Sequence, residues 1–387
     1  MGLHRAWQWS LAAALALGLA HTVRADVIVF DASPATPATL QAAVDLAADG
    51  DMILIHAFGL PLQGETVIDG KGLTLAPLGV GVPRVAALTV RNLSVDQTVV
   101  LRGFGIRPDQ APVPPDREGL IVEDCAGQVR LEDCLVRGPY EGPHVPMGRA
   151  AVLLDDAGRV VITASQLRGS GGPGQAPDGL IVTGASRVAL YDTLVHAGSS
   201  FTSPGSGGSS GVRMAGETLD AMGGVFLGLG DGPSITVEAG IARLADVNLN
   251  SSSGIASVVA PGAELLELPH TARHFAAASP LGAGDFAQLE FEGELGETVF
   301  LWVSPTAGQT WVPAVQGLLL VGRPVLLQHL LITQITTLDD PATVSAAVPP
   351  LPPGTGHVDL VLQAVFVDGD TVVAGPSQVL TLLEPDF

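Results

Sequence analysis

Apolar residues recur along this chain in a fixed phrase. An apolar tripeptide is followed by a short polar or glycine turn, then by x-apolar-x-Leu, and five residues later by another apolar residue. Four copies are plain: Leu120-Ile-Val with Val129-Arg-Leu-Glu-Asp-Cys-Leu-Val136, Val152-Leu-Leu with Val160-Val-Ile-Thr-Ala-Ser-Gln-Leu167, Leu180-Ile-Val with Val188-Ala-Leu-Tyr-Asp-Thr-Leu-Val195, and Ile235-Thr-Val with Ala242-Arg-Leu-Ala-Asp-Val-Asn-Leu249. The central apolar residues Ile53, Leu75, Leu101, Leu131, Ile162, Leu190, Leu219, Leu244 and Leu266 serve as anchors, at gaps of 22, 26, 30, 31, 28, 29, 25 and 22. A period in this range marks a stacked repeat. Short alternating runs broken by Gly and Asp predict strands, and three short strands fit each gap. Such a unit cannot bury its apolar face alone, so the coils must stack.

Ahead of the repeat, Leu40, Ala43, Val44 and Ala47 share one helical face. Thr36 is the expected N-cap, Pro37 the first helical residue and Gly50 the stop. A solenoid leaves an apolar cross-section open at each end, and this short helix is expected to cover one. A dinucleotide-binding start is disfavoured because no Gly-rich turn precedes the helix. In the middle coils, extra residues enter after the second apolar residue each time: 108–118, 138–149, 169–178 and 198–210. Being in one register, these inserts are expected side by side along one edge, either as a binding surface or as tolerated surface loops. Tyr140, Glu141, His144 and Phe201 are the candidate ligand contacts they carry.

The phrases Ile68-Asp-Gly-Lys-Gly-Leu-Thr-Leu75 and Val129-Arg-Leu-Glu-Asp-Cys134, with the opening Thr39 to Ile55, resemble the coils of a right-handed parallel β-helix of the pectate-lyase-like superfamily. The resemblance runs from Asp26 to about Leu268. It implies an all-β solenoid. It also implies, for the enzymes of that superfamily, action on acidic polysaccharides, by a basic residue with carboxylate-held calcium in lyases or by clustered aspartates in glycoside hydrolases. A carboxylate pair can divide acid and base roles when its environments differ. Asp155-Asp156 is the nearest match. Its partner motifs (Asn-Thr-Asp, Gly-His-Gly, Arg-x-Lys) are missing, and Arg107-Pro108 only approaches the arginine pattern of the lyases. The competing reading of Asp155 and Asp156 is a turn pair at a coil corner.

Asp133, Asp192 and Asp246 occupy one column, two residues after the anchor. They are expected to form a ladder of turn caps; the alternative is a weak calcium path. Only three asparagines occur, so an asparagine ladder is not expected. Gly207-Gly-Ser-Ser-Gly211 lacks the strand and helix of a nucleophile elbow, and Gly169 to Gly174 lacks a helix to hold phosphate. Cys125 and Cys134 flank an expected strand, which places them at different corners and predicts two buried thiols rather than a bridge. Asn92-Leu-Ser94 and Asn250-Ser-Ser252 match the glycosylation sequon.

After Leu268 the phrase fades. Residues 269–284 read as a linker, and 285–387 as a small antiparallel β-sandwich. Trp302 and Trp311 are expected in its core, with a sugar-stacking platform as the alternative. At the other end, His4 and Arg5, the apolar run Leu11 to Ala20 and Val23-Arg24-Ala25 read as residues 1–25 of a secretory signal cleaved near Ala25. The run is too short for a membrane span, which needs roughly 20 apolar residues.

Composition narrows the function. The chain has 39 acidic against 18 basic residues and a net charge of −21; loss of the leader removes two arginines more. Such a charge disfavours nucleic acid and keeps an exported protein soluble. The expectation is a monomeric, secreted, periplasmic or cell-surface β-helix without catalytic activity. It would bind a glycan or a cell-surface partner through its insert edge and need no cofactor, though calcium is a possibility. The alternatives are a polysaccharide lyase or glycoside hydrolase, and a purely structural envelope component.

Overall fold

A computed structural model of the chain describes residues 25–31, 39–56, 61–79, 81–107, 117–139, 149–171, 176–199, 208–282, 284–322, 330–335, 341–348, 350–385 and 387. It divides into two units, Ile28–Thr271 and Ala272–Phe387 with residues 1–27. Of the segment 1–25 expected to be a leader, residues 1–24 lie outside the described residues. Among those described, no helix is long and apolar enough to cross a membrane.

The first unit is a parallel β-helix, as expected. Sheet one has ten strands in the order of the sequence, among them Met52–His56, Leu73–Pro77, Thr98–Arg102, Gln128–Glu132, Arg159–Thr163, Arg187–Tyr191, Thr218–Met222, Ile241–Ala245 and Glu264–Leu268. Sheet two is built from strands such as Leu135–Arg137, Gln166–Arg168 and Leu194–His196, and sheet three from strands such as Leu120–Glu123, Val152–Asp155, Leu180–Thr183 and Val212–Ala215. Sheets two and three share one long strand, Arg84–Arg91. Its first half pairs with Gly105–Ile106 and its second half with Leu120–Glu123. Early, short coils therefore run straight through the corner that later coils interrupt.

Side chains alternate in and out along each strand. Val129, Leu131, Val136, Leu120 and Val122 turn inward, and each is 0% exposed. Their counterparts stack coil after coil into one apolar column. Truncating an anchor such as Leu131 to Ala would cost about 2–5 kcal/mol. The corners need left-handed backbone. After sheet three it falls on Gly70, Asn92, Asp124, Asp156 and Gly184, and after sheet one on Gly103, Asp133, Ala164, Asp192, Gly223 and Asp246, all at positive φ. Asp and Gly fill these sites because they tolerate that conformation; the β-branched residues do not.

The register departs from the expected anchors twice. Leu190 pairs with Ala221, not Leu219, which lies two residues earlier on the same face. In the last strand Leu244 pairs with Glu267, so Leu266 points outward and is 44% exposed. The twin leucines of Glu264–Leu268 satisfy either alternation, and only the ladder chooses between them. The outcome puts a carboxylate, Glu267, in the inward column of the final coil.

Helix α1, Leu40–Leu46, buries Leu40, Ala43 and Val44. Its N-cap is Thr39, whose hydroxyl accepts from the Ala42 N–H at 3.3 Å. The expected cap at Thr36 and Pro37 lies outside the described residues, and the observed helix starts later. Lys71, the only lysine, donates to the carbonyls of Val44 and Ala47 at 2.9 and 2.8 Å and closes the C-terminal turn. Both cysteines are buried and free. Cys134 donates to Leu101 O at 3.3 Å and Cys125 to Glu123 O at 3.2 Å.

The second unit holds small antiparallel sheets: His274–Ala277, Phe286–Glu292 and Ala342–Ala347 in one, and Leu330–Gln334, Thr298–Ser304, His357–Asp368 and Thr371–Leu383 in another. His274–Ala277 falls inside the segment expected to be a linker. Phe275 stacks on Phe291 at 5.2 Å, and Arg273 is buried against Glu297 at 2.6 Å. Trp302 shares the face of Phe300, opposite the buried Val299, Leu301 and Val303. It and Trp311 are half-buried, so neither is the core tryptophan expected.

Candidate functional site

The inserts leave from sheet two and re-enter at sheet three, all at one corner. Their middles lie outside the described residues, and Tyr140, Glu141, His144 and Phe201 lie there with them. The roots are tied coil to coil. Ser170 Oγ accepts from Arg149 N at 2.8 Å, and Gly198 N donates to Pro177 O at 2.7 Å. The approach is close enough that a Cβ on Gly138 would sit 2.3 Å from Arg149 O.

Charge pairs follow the sheet-three side of this corner. Arg117 pairs with Glu65, Arg149 lies 3.8 Å from Glu118, and Arg213 lies 2.9 Å from Asp178 and 3.9 Å from Glu238. Asp178 also accepts from Ser210 N at 2.8 Å. Burial pushes its carboxyl above the ordinary value, against the pull of Arg213.

The sheet-two side is different. The last outward positions of successive strands are Arg137, Arg168 and His196, paired in register. Ile106 pairs with Val136, so Arg107 takes the preceding rung. Rungs of a parallel sheet are about 4.8 Å apart. Unit charges at that spacing repel by roughly 1 kcal/mol in bulk water and by roughly 3.5 kcal/mol at an effective dielectric constant of 20. This basic column went unread in the sequence. Its signal was present: the residues recur at 30, 31 and 28, matching the anchor gaps of the same coils, and Arg137 and Arg168 each precede a glycine that opens an insert.

The remaining candidates are separated. Asp155 Oδ1 accepts from Thr183 Oγ1 at 2.7 Å, and Asp156, at φ 47°, accepts from Ala185 N at 2.8 Å. Both carboxylates thus tie one coil to the next. Asp133, Asp192 and Asp246 share a column but alternate with Ala164 and Gly223. Two coils, about 10 Å, separate neighbouring carboxylates, whereas calcium takes oxygens at about 2.3–2.6 Å. One ion cannot bridge them. Among the described residues no group of three or more His, Cys, Asp or Glu side chains is placed to hold a metal.

The outward row of sheet one carries a second ionic group. Arg102 and Arg130 meet Glu132 at 2.5 and 3.4 Å, and Arg243 meets Asp220 at 2.7 Å. Tyr191 lies in the same field; burial raises its hydroxyl and the Asp220 carboxyl, and lowers Arg130. Arg130 is 0% and Glu132 3% exposed.

No protein-family model matches the chain, and no curated protein or solved structure matches it.

Proposed function

We propose that this is an exported, non-catalytic β-helix protein, related to the pectate-lyase-like superfamily, that binds a carbohydrate or cell-surface partner through its insert edge. The observation that carries this reading is the common origin of four inserts at one corner of consecutive coils. Binding surfaces of solenoids are built in this way, from per-repeat insertions that fall on one face. The engagement of Asp155 and Asp156 by the next coil favours binding over catalysis. Purified protein on a glycan array should bind a defined subset of glycans. A variant with 140–148 shortened to a glycine linker should lose that binding while keeping its circular dichroism. Release of unsaturated or reducing ends from acidic polysaccharides, with or without calcium, would overturn the non-catalytic reading. Silence across glycans and intact cells would overturn the binding reading and leave a structural envelope role.

A further inference from the structure

The last coil of the solenoid leaves three strand edges open at once. Among the described residues, Asn248–Ser251, Ser257–Val259 and Glu264–Leu268 each end the strand order of their sheet. Ala256 O accepts from Ser234 N at 3.0 Å, and Ala260 N donates to Val237 O at 2.8 Å. The main-chain groups of Ser257 and Val259 therefore face away from the coil beneath. Glu264 N likewise donates to Gly240 O at 3.0 Å, which leaves the main-chain groups of Leu265 and Glu267 on the open side. Ile255, Val258, Val259 and Leu266 are 47%, 46%, 41% and 44% exposed. Aliphatic surface gathered in this way marks an interaction site, whereas single exposed residues do not. The charge of the coil has one sign. It carries Asp246, Glu264 and Glu267, and no basic residue lies between Arg243 and His270.

We propose that this open end is a docking site for an extended segment of a second protein, added as a parallel strand over Glu264–Leu268 and carrying a lysine or arginine above Glu267. Strand addition supplies main-chain hydrogen bonds, and alternate side chains supply the selectivity. The register dictates what the segment must read. Leu265 is partly buried against the solenoid core, so an apolar residue belongs above it. Leu266, on the opposite face, takes a second apolar residue. Covering Glu267 strips water from its carboxylate, and a charge taken out of water has to be paired. The run over Leu265, Leu266 and Glu267 is therefore apolar, apolar, basic. The final coil of a second copy is a poor occupant, because it sets carboxylates against carboxylates. The site is independent of the insert edge: it lies on the strand edges of the last coil, not on the loops of the middle ones.

The probe is a fluorescent threonine-rich peptide with a central Val-Val-Arg, compared with the same peptide carrying Val-Val-Glu. Titrated with the full-length secreted protein and followed by anisotropy, the arginine peptide should bind about tenfold more tightly, the ratio that one partly desolvated ion pair supplies. Glu267→Gln should shrink the ratio to about threefold or less. Leu266→Asn should weaken both peptides while keeping the ratio. Both side chains are exposed, so the melting temperatures of the variants should match the parent, and a loss of binding is then not a loss of fold. Equal affinity for the two peptides, no binding of either at about 1 mM, or an unchanged ratio in Glu267→Gln would overturn the site. Self-association of the parent that Leu266→Asn abolishes would also overturn it, and would assign the surface to a second copy.

Discussion

Gln41 and Val67 make a two-sided amide pair: Val67 N–H donates to Gln41 Oε1 at 2.6 Å, and Gln41 Nε2 donates to Val67 O at 3.1 Å. The side chain of α1 thereby imitates a neighbouring strand at the open edge of Pro61–Asp69. Unpaired edges invite association with other chains. Gln41→Ala should cost about 1–3 kcal/mol, the range for stranding buried backbone groups. It should also increase light scattering on warming. An unchanged melting temperature with unchanged scattering would show that the helix covers the edge without this pair.

Gly138 sits where an added Cβ would meet the carbonyl of Arg149. Relief requires moving backbone at the root of an insert, and backbone yields less readily than a side-chain tip. Gly138→Ala should lower stability by roughly 1–3 kcal/mol, as overpacking does. Chemical denaturation of the two proteins reads the difference, and equal midpoints would contradict the closeness of these roots.

Burial raises both thiols above the ordinary value of 9.0, with Cys134 pushed up to about 12. The reactive species is the thiolate. At pH 8 a free thiol is about one-quarter ionised, whereas Cys134 stays almost wholly protonated. Native protein should resist a thiol-reactive dye at pH 8 and release two equivalents on denaturation. Rapid labelling of the native protein would contradict the buried positions.

The carboxylates have opposing pH signatures. Burial raises Asp220 from its ordinary 3.8, despite Arg243. An acid with a raised folded value holds its proton more tightly when native, so stability falls as pH rises from the unfolded value through the folded one. Asp69 is lowered by hydrogen bonds from Asn92 and Arg91, and Glu217 by one from Arg187. These two groups contribute above their unfolded values and lose their contribution as pH falls through the folded ones. Melting temperature followed from pH 3 to 7 should decline less steeply above pH 4 in Asp220→Asn than in the parent. Asp69→Asn should remove part of the gain between pH 3 and 5. Parallel curves for all three proteins would refute the assignment.

The repeat made most of the solenoid legible. Eight-residue phrases such as Val129 to Val136 specify both strands and the corner between them, because the turn after Glu132 needs left-handed backbone and Asp133 supplies it. Legibility failed where alternation had two solutions: Leu219 outweighed the true anchor Ala221, and Leu265-Leu266 offered either parity. It failed differently at His274–Ala277, whose short, mildly apolar run acquires meaning only through its pairing with Phe286–Glu292. At the site, the insert edge followed from register. The basic column did not, because each arginine in isolation reads as an ordinary surface charge. Its significance lies in stacking, which appears only when coils are laid over one another.

Glu267 stands in the inward column of the last coil. Every position beneath it in that column, from Leu244 down to Ile53, is apolar and buried. A further coil stacked there would have to take this carboxylate out of water, at a cost of several kcal/mol unless it supplied a partner. A carboxylate at this position opposes the stacking of a further apolar coil on Glu264–Leu268, a hazard inherent in any chain whose stability comes from stacking like on like.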